Sequence, residues 1–265
     1  MAAIFVACGA GTKSSPMDAT DAATPGSPGG LSGSIIVLAA SDLRGAFDKI
    51  GAAFEETCDC RVTLSYGSSG TYASQIKQGS PGDVFASASV EYVDELAKDG
   101  LILPGTKQDY AFGRIVLATN AGSSWAPGML TDLDDPRFKR IAVANPDHAP
   151  YGLAAKQALT ALGLWDAIEP KLVLGENASQ ATQYVLTGDA DAGIIPLSLA
   201  IQNGDRIRYV LIDDKLHEPL RQTAAVLRQS KHADVARAFL AFVNGPKGRA
   251  IMREYGFALP GEGAP

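Results

Sequence analysis

Four times along this chain a short apolar run closes on a small polar turn that opens a helix. The pairs are SIIVLAA before Ser41-Asp42, RVTLSY before Gly67-Ser68-Ser69-Gly70-Thr71, RIAVANPD before His148-Ala149-Pro150-Tyr151-Gly152, and PKLVLG before Glu176-Asn177-Ala178-Ser179. Strands alternating with helices in this way predict an α/β fold with mainly parallel sheets. Ligands of such folds lie beyond the carboxyl ends of the strands, which is where all four turns fall. The first turn of a helix carries backbone N–H groups without an intrahelical acceptor and the positive end of the helix dipole, so it binds small oxyanions. Four such turns converging on one point would hold an anion with no Lys or Arg.

The rest of the chain fits the same alternation. Residues 9–33 are Gly, Ser, Thr, Ala and Pro with almost nothing to bury, the composition of a flexible tether, and the folded part is expected to begin at residue 34. Residues 34–39 read as a fully buried strand, and Leu43, Phe47, Ile50 and Phe54 then recur at helical spacing. Further strands are expected at 61–66, 82–87, 114–119, 140–144, 171–174, 191–195 and 207–212. Helices are expected at 71–78, 91–99, 152–162, 179–187, 233–243 and 246–255. The long interval 79–139 between the first two turns and the last two predicts two lobes, with the chain crossing back near 220–226. The expected limits are 34–113 and 223–265 for the first lobe and 114–222 for the second.

A formal net charge of −6 argues against a nucleic-acid or anionic-membrane partner, but not against an anion ligand, because oriented amides act locally. No apolar run reaches the roughly 18 residues of a membrane span. Cys8 follows Ile4-Phe5-Val6-Ala7 like the lipid-modified Cys of a bacterial lipoprotein signal. Only seven residues precede it, fewer than a charged segment plus an apolar core require, so lipidation at Cys8 carries with it a start further upstream. Cys58 and Cys60 lack a second Cys pair or a nearby His, which disfavours zinc and leaves a disulfide or two free thiols. No P-loop, G-x-G-x-x-G or metal-spaced cluster is present in the sequence, so no cofactor is expected.

Several blocks together carry a resemblance: A-A-S at the first strand end, Y-G-S-S-G-T-Y-A-S-Q-I, P-G-D-V-F-A-S-A, A-N-P-D-H-A-P-Y-G-L-A-A-K-Q-A-L, G-E-N-A-S-Q-A, D-A-D-A-G-I-I and G-P-K-G-R-A-I-M-R-E-Y-G-F. In this order, over residues 34–260, they resemble the molybdate-binding proteins of bacterial ABC transporters, which have the type II periplasmic-binding-protein fold. The resemblance implies an extracytoplasmic or periplasmic receptor that captures molybdate or tungstate between its lobes and delivers it to a membrane permease; nothing in the sequence marks an oligomer, and a monomer is the default expectation. It places Ser41 and Ser69 as hydroxyl and amide donors, Tyr151 and Ala178 as amide donors, and Asp42 as a source of a further amide. Molybdenum would be held only as its oxyanion, with no protein atom on the metal itself.

Two residues depart from the family pattern. Where some relatives have a ligand tyrosine, this chain has Pro196, which offers neither hydroxyl nor N–H. Asp42 would repel a dianion if it faced it, so its side chain is expected to turn away and cap the following helix; facing inward it would accept the proton of a hydrogen oxyanion. The Tyr151 ring is expected over the site or at the cleft rim, Ser68 as a supporting residue, His148 as a turn-stabilising side chain, and His217 and His232 at the surface. Two other readings remain open on sequence: a receptor for sulfate or phosphate, and, remotely, a hydrolase using Ser69 in a sequence close to G-x-S-x-G. A ligand-free adhesin or structural lipoprotein would explain the tether but leaves four helix starts without purpose.

Overall fold

The computed structural model describes residues 30–262, so Cys8 and nearly all of the expected tether lie outside the described residues. The chain begins with β1 (Ser32–Ala40), β2 (Asp59–Gly67), β3 (Val84–Ser87) and β4 (Gln108–Gly113). It continues through β5 (Ile115–Asn120), β6 (Ile141–Ala144), β7 (Leu172–Gly175), β8 (Ala192–Pro196) and β9 (Ile207–Leu211), and returns in β10 (Leu220–Val226). These strands form two five-stranded sheets, ordered β2-β1-β3-β10-β4 and β7-β6-β8-β5-β9. In each sheet one strand, β10 or β5, runs against the other four. The reversed strands sit beside the crossings: β4 passes into β5 through Gly113 and Arg114, and Leu220 of β10 pairs with Gly113.

Helices cover the sheets: α1 (Arg44–Glu55), α2 (Ser69–Lys77), α3 (Val90–Lys98), α4 (Pro150–Ala161), α5 (Trp165–Ile168), α6 (Ala178–Thr187), α7 (Leu197–Asn203), α8 (Ala233–Asn244) and α9 (Pro246–Glu254). The periodic face of α1 is buried as its spacing predicts, with Phe47 and Ile50 fully enclosed, and Phe47 and Phe54 meet Phe239 of α8 edge-on at 6.0 and 5.5 Å. Edge-to-face packing of this kind adds about 1 kcal/mol per pair to the burial itself. β1 departs from the fully buried strand its sequence suggests. Ile35 and Val37 are enclosed, but Ser34 is exposed and Ile36 only half-buried, so the pattern becomes continuous only towards the carboxyl end. The strand β4 and the helices α5 and α7 had no counterpart in the sequence reading, and β10 was expected only as a crossing near 220–226.

Cys58 and Cys60 are joined as a disulfide just where β2 begins, with Cα atoms 5.2 Å apart. Among the described residues no helix is long and apolar enough to cross a membrane.

Candidate functional site

The four strand-to-helix junctions meet at one place. β1 ends at Ala40 and passes through a short 3-10 turn, Ser41–Leu43, into α1; β2 ends at Gly67, two residues before α2 begins at Ser69. β6 leads to α4 at Pro150, and β7 to α6 at Ala178. These junctions enclose a cavity of about 10 Å³ whose walls include Ser41, Asp42, Ser69, Tyr151 and Ala178, all five residues singled out from sequence. Ala40, Gly67, Ser68, Ala88, Ala149 and Pro150 complete the same wall, and among the described residues no Lys, Arg or His lines it. Pockets for drug-sized molecules run to roughly 300 Å³ or more, so no such molecule fits this one.

The walls present donors. Ser69 Oγ accepts the Ala88 amide at 3.0 Å, and Ser41 Oγ accepts the Ser179 amide at 3.2 Å. With a backbone donor already on each oxygen, each hydroxyl keeps its own proton to give. Pro150 has no N–H, so Tyr151 carries the first amide of α4, while the amides of Gly152 and Leu153 go to the Ala149 carbonyl. In α6 the amides of Ser179, Gln180 and Ala181 are taken by Ser41 Oγ, Asn177 Oδ1 and the Asn177 carbonyl, leaving that of Ala178. Neither the Tyr151 nor the Ala178 amide has an acceptor among the described residues.

Asp42 does not cap α1. Its 3-10 turn has no side-chain cap, and the carboxylate is 1 % exposed. Oδ2 accepts the Tyr151 hydroxyl at 2.9 Å and Gln222 Nε2 at 2.6 Å, while Gln222 Nε2 also reaches Tyr151 Oη at 3.0 Å. Among the described residues, Oδ1 of Asp42 and Oε1 of Gln222 are buried without a partner. Burial raises the Asp42 carboxyl to a pKa of about 6, against the opposing pull of the Gln222 and Tyr151 hydrogen bonds. The Tyr151 ring is buried, with its hydroxyl on Asp42, another residue of the cavity wall. Burial and the neighbouring Asp42 charge hold its phenol well above the ordinary value, so it stays a neutral donor.

Gln222 escaped the sequence reading. The signal available was a lone carboxamide in LRQTAAV, a strand otherwise buried from Thr223 onward. Ser198 escaped it too: two residues beyond Pro196, its hydroxyl donates to the Asp42 carbonyl at 2.8 Å. Pro196 itself ends β8 and lies outside the cavity wall.

Ser68 and His148 join the opposite rim. The Ser68 hydroxyl donates to the His148 carbonyl at 2.5 Å and stands 2.9 Å from its Nδ1, and the Gly70 amide reaches the same carbonyl at 2.9 Å. Ser69 Oγ thus meets the Ala88 amide and no imidazole, which removes the support for a hydrolase centred on it. His232 is exposed as expected, but His217 is buried at 8 % exposure. The chain turns back into β10 immediately after it, and its Nδ1 donates to the Glu218 carbonyl at 2.8 Å. A wider groove of about 350 Å³ shares Ala88, Ala149 and Pro150 with the cavity, but its walls carry Leu153, Glu91, Glu95 and Glu218, a poor setting for an anion.

Comparison with known proteins agrees with this geometry. Residues 35–258 match the family model described as bacterial extracellular solute-binding protein. The molybdate-binding protein ModA of Azotobacter vinelandii is 34 % identical over 231 residues, covering 84 % of this chain and 89 % of that protein. ModA of Rhodobacter capsulatus is 34 % identical over 226 residues, covering 85 % and 88 %. The solved periplasmic molybdate-binding protein of Azotobacter vinelandii superposes with a TM-score of 0.81 at 31 % identity, covering 85 % of this chain and 99 % of that one.

Proposed function

The chain belongs to the bacterial extracellular solute-binding protein family, and on that premise we propose that it captures molybdate, or tungstate, and delivers it to an ABC transporter permease. The observation that carries this reading is the convergence of four helix starts on one small cavity that, among the described residues, has no basic side chain in its wall. Ser41 and Ser69 give their hydroxyl protons, Tyr151 and Ala178 their amides, and Asp42 a further backbone amide. Every contact is to an oxygen of the anion, and none is to the metal. The first lobe comprises β1–β4 and β10, residues 32–113 and 220–262, and the second 114–219, since Leu220–Val226 belongs wholly to the first sheet where the expected boundary fell at 222/223; the protein works outside the cytoplasm as a binding protein, with no catalytic step and no cofactor.

Donors alone make a selective site. Molybdate is fully deprotonated near neutral pH, so all four oxygens accept. Hydrogen phosphate brings a proton that such a wall leaves unpaired, at a cost of about 1–3 kcal/mol, which is roughly ten- to hundredfold in affinity. Sulfate also accepts only, and is separated from molybdate by size. The second reading, a phosphate receptor, rests on Asp42, the carboxylate among the lining residues, whose Oδ1 has no hydrogen-bond partner among the described residues.

Isothermal titration with molybdate, tungstate, sulfate and phosphate at neutral pH decides between them. Tight binding of the first two alone is the expected result. Binding of phosphate moves the reading to the second, and silence towards all four rejects both.

A further inference from the structure

The hydrogen bonds around Asp42 do more than bury a carboxylate. Asp42 stands at the β1–α1 junction beside the first sheet, Gln222 lies in β10 of that sheet, and Tyr151 stands on α4, which packs on the second. All three are buried to 3 % exposure or less. The Tyr151 hydroxyl crosses from one half to the other to reach Asp42 Oδ2 at 2.9 Å, and Gln222 Nε2 touches both partners at 2.6 and 3.0 Å. The same turn is tied a second time through its backbone: Ser198 Oγ donates to the Asp42 carbonyl at 2.8 Å, and Ser179 Oγ to the Ser41 carbonyl at 3.1 Å.

Tyr151 therefore acts at both ends. Tyr151 lines the cavity and its amide has no acceptor among the described residues, while its phenol is held by Asp42 and Gln222. The phenol has room because residue 113, where the chain crosses between the sheets, is a glycine: a Cβ there would lie 2.2 Å from Tyr151 Oη. Separating the halves would strip Asp42 Oδ2 of its phenol donor, and a buried polar group deprived of its partner is costly until water reaches it.

We propose that Asp42, Tyr151 and Gln222 form a latch that makes its interlobe hydrogen bond only when the cleft is shut, with Asp42 a positioning residue that acts on the bound oxyanion through Tyr151. The proposal rests on the molybdate reading for its ligand. The latch holds the Tyr151 amide at the cavity and lengthens the stay of the captured ion, while the open protein, in which the halves are apart, gains nothing from it. Differential contact of this kind shifts a closure equilibrium, whereas contacts shared by both states do not.

Tyr151→Phe tests it cleanly, because it keeps the amide and the ring and removes only the hydroxyl. Stopped-flow with molybdate on the whole chain should give a dissociation rate raised about tenfold or more, with the association rate little changed. The melting temperature of the ligand-free protein should stay within about a degree of wild type, because a merely structural hydrogen bond would lower it. Gly113→Ala, which fills the seat of the phenol without altering any polar atom of the latch, should raise the dissociation rate in the same direction. An unchanged dissociation rate in Tyr151→Phe overturns the latch, and so does a ligand-free melting temperature that falls along with the affinity. Wild-type protein that takes up no molybdate overturns the ligand reading and the latch with it.

Discussion

Gly70 gives its amide to the His148 carbonyl across 2.9 Å, and a Cβ at position 70 would stand 2.7 Å from that same oxygen. Contact that close between two backbones needs a residue without a side chain. Gly70→Ala should therefore leave each half folded while holding the rim apart. Overpacking of this order costs about 1–3 kcal/mol, which would appear as roughly ten- to hundredfold weaker molybdate binding by calorimetry with the melting temperature of the ligand-free protein nearly unchanged. An affinity equal to wild type would mean that the rim contact is not needed for capture.

The Cys58–Cys60 bond should matter for stability and not for the ligand. It closes a loop of only three residues, so loop-closure entropy gives it about 1.5 kcal/mol. It stands at one end of β2, a nine-residue strand whose other end, Gly67, lines the cavity; at about 3.3 Å per residue the two ends are some 26 Å apart. Reduction should lower the melting temperature by a few degrees, and titration of the reduced protein should return the same affinity for molybdate.

Much of this architecture was legible in the sequence because the determinants are local. Leu43, Phe47, Ile50 and Phe54 announce α1, and the Gly, Ser, Asn and Pro of the four turns announce the helix starts whose residues share one cavity. What escaped was set by contacts distant in the chain. Nothing near Asp42 signals that its partners are Tyr151, 109 residues on, and Gln222, 180 residues on, so a helix cap was the natural reading for an acid at that place. His217 is buried by the turn into β10, a tertiary circumstance that its polar neighbours conceal. The strand β4 has an exposed-looking composition, QDYAFG, because Asp109 serves Arg221 and Thr223 of β10 rather than solvent.

Loss of either cavity hydroxyl should weaken the anion strongly. A hydrogen bond to a charged group contributes about 1.5–3 kcal/mol, so Ser41→Ala and Ser69→Ala should each reduce molybdate affinity by roughly ten- to 150-fold. Each also leaves a backbone donor unsatisfied, Ser179 N–H in the first and Ala88 N–H in the second. Ser→Cys at either position keeps the volume but offers a weak donor, and should fall between alanine and wild type. Equal affinities across the series would remove these hydroxyls from the site.

The pH dependence of capture follows from Asp42. In the closed protein its carboxyl holds a proton up to about pH 6, against an ordinary value of 3.8, because burial disfavours the charge. The closed form thus binds that proton more tightly than a form in which Asp42 is hydrated. Closure is favoured in full below about pH 4, loses favour by up to tenfold per unit as the pH rises towards 6, and levels off above it; the whole span corresponds to about 3 kcal/mol. A dianion in the adjoining cavity repels the Asp42 charge and carries the upper end of that window higher still. Molybdate affinity should accordingly weaken between pH 5 and 7 in the wild type, measured at ligand concentrations low enough to keep the anion monomeric. Asp42→Asn, which has no proton to lose, should give a flat profile over the same range. A wild-type profile as flat as that of Asp42→Asn would show that Asp42 does not change its protonation when the cleft closes.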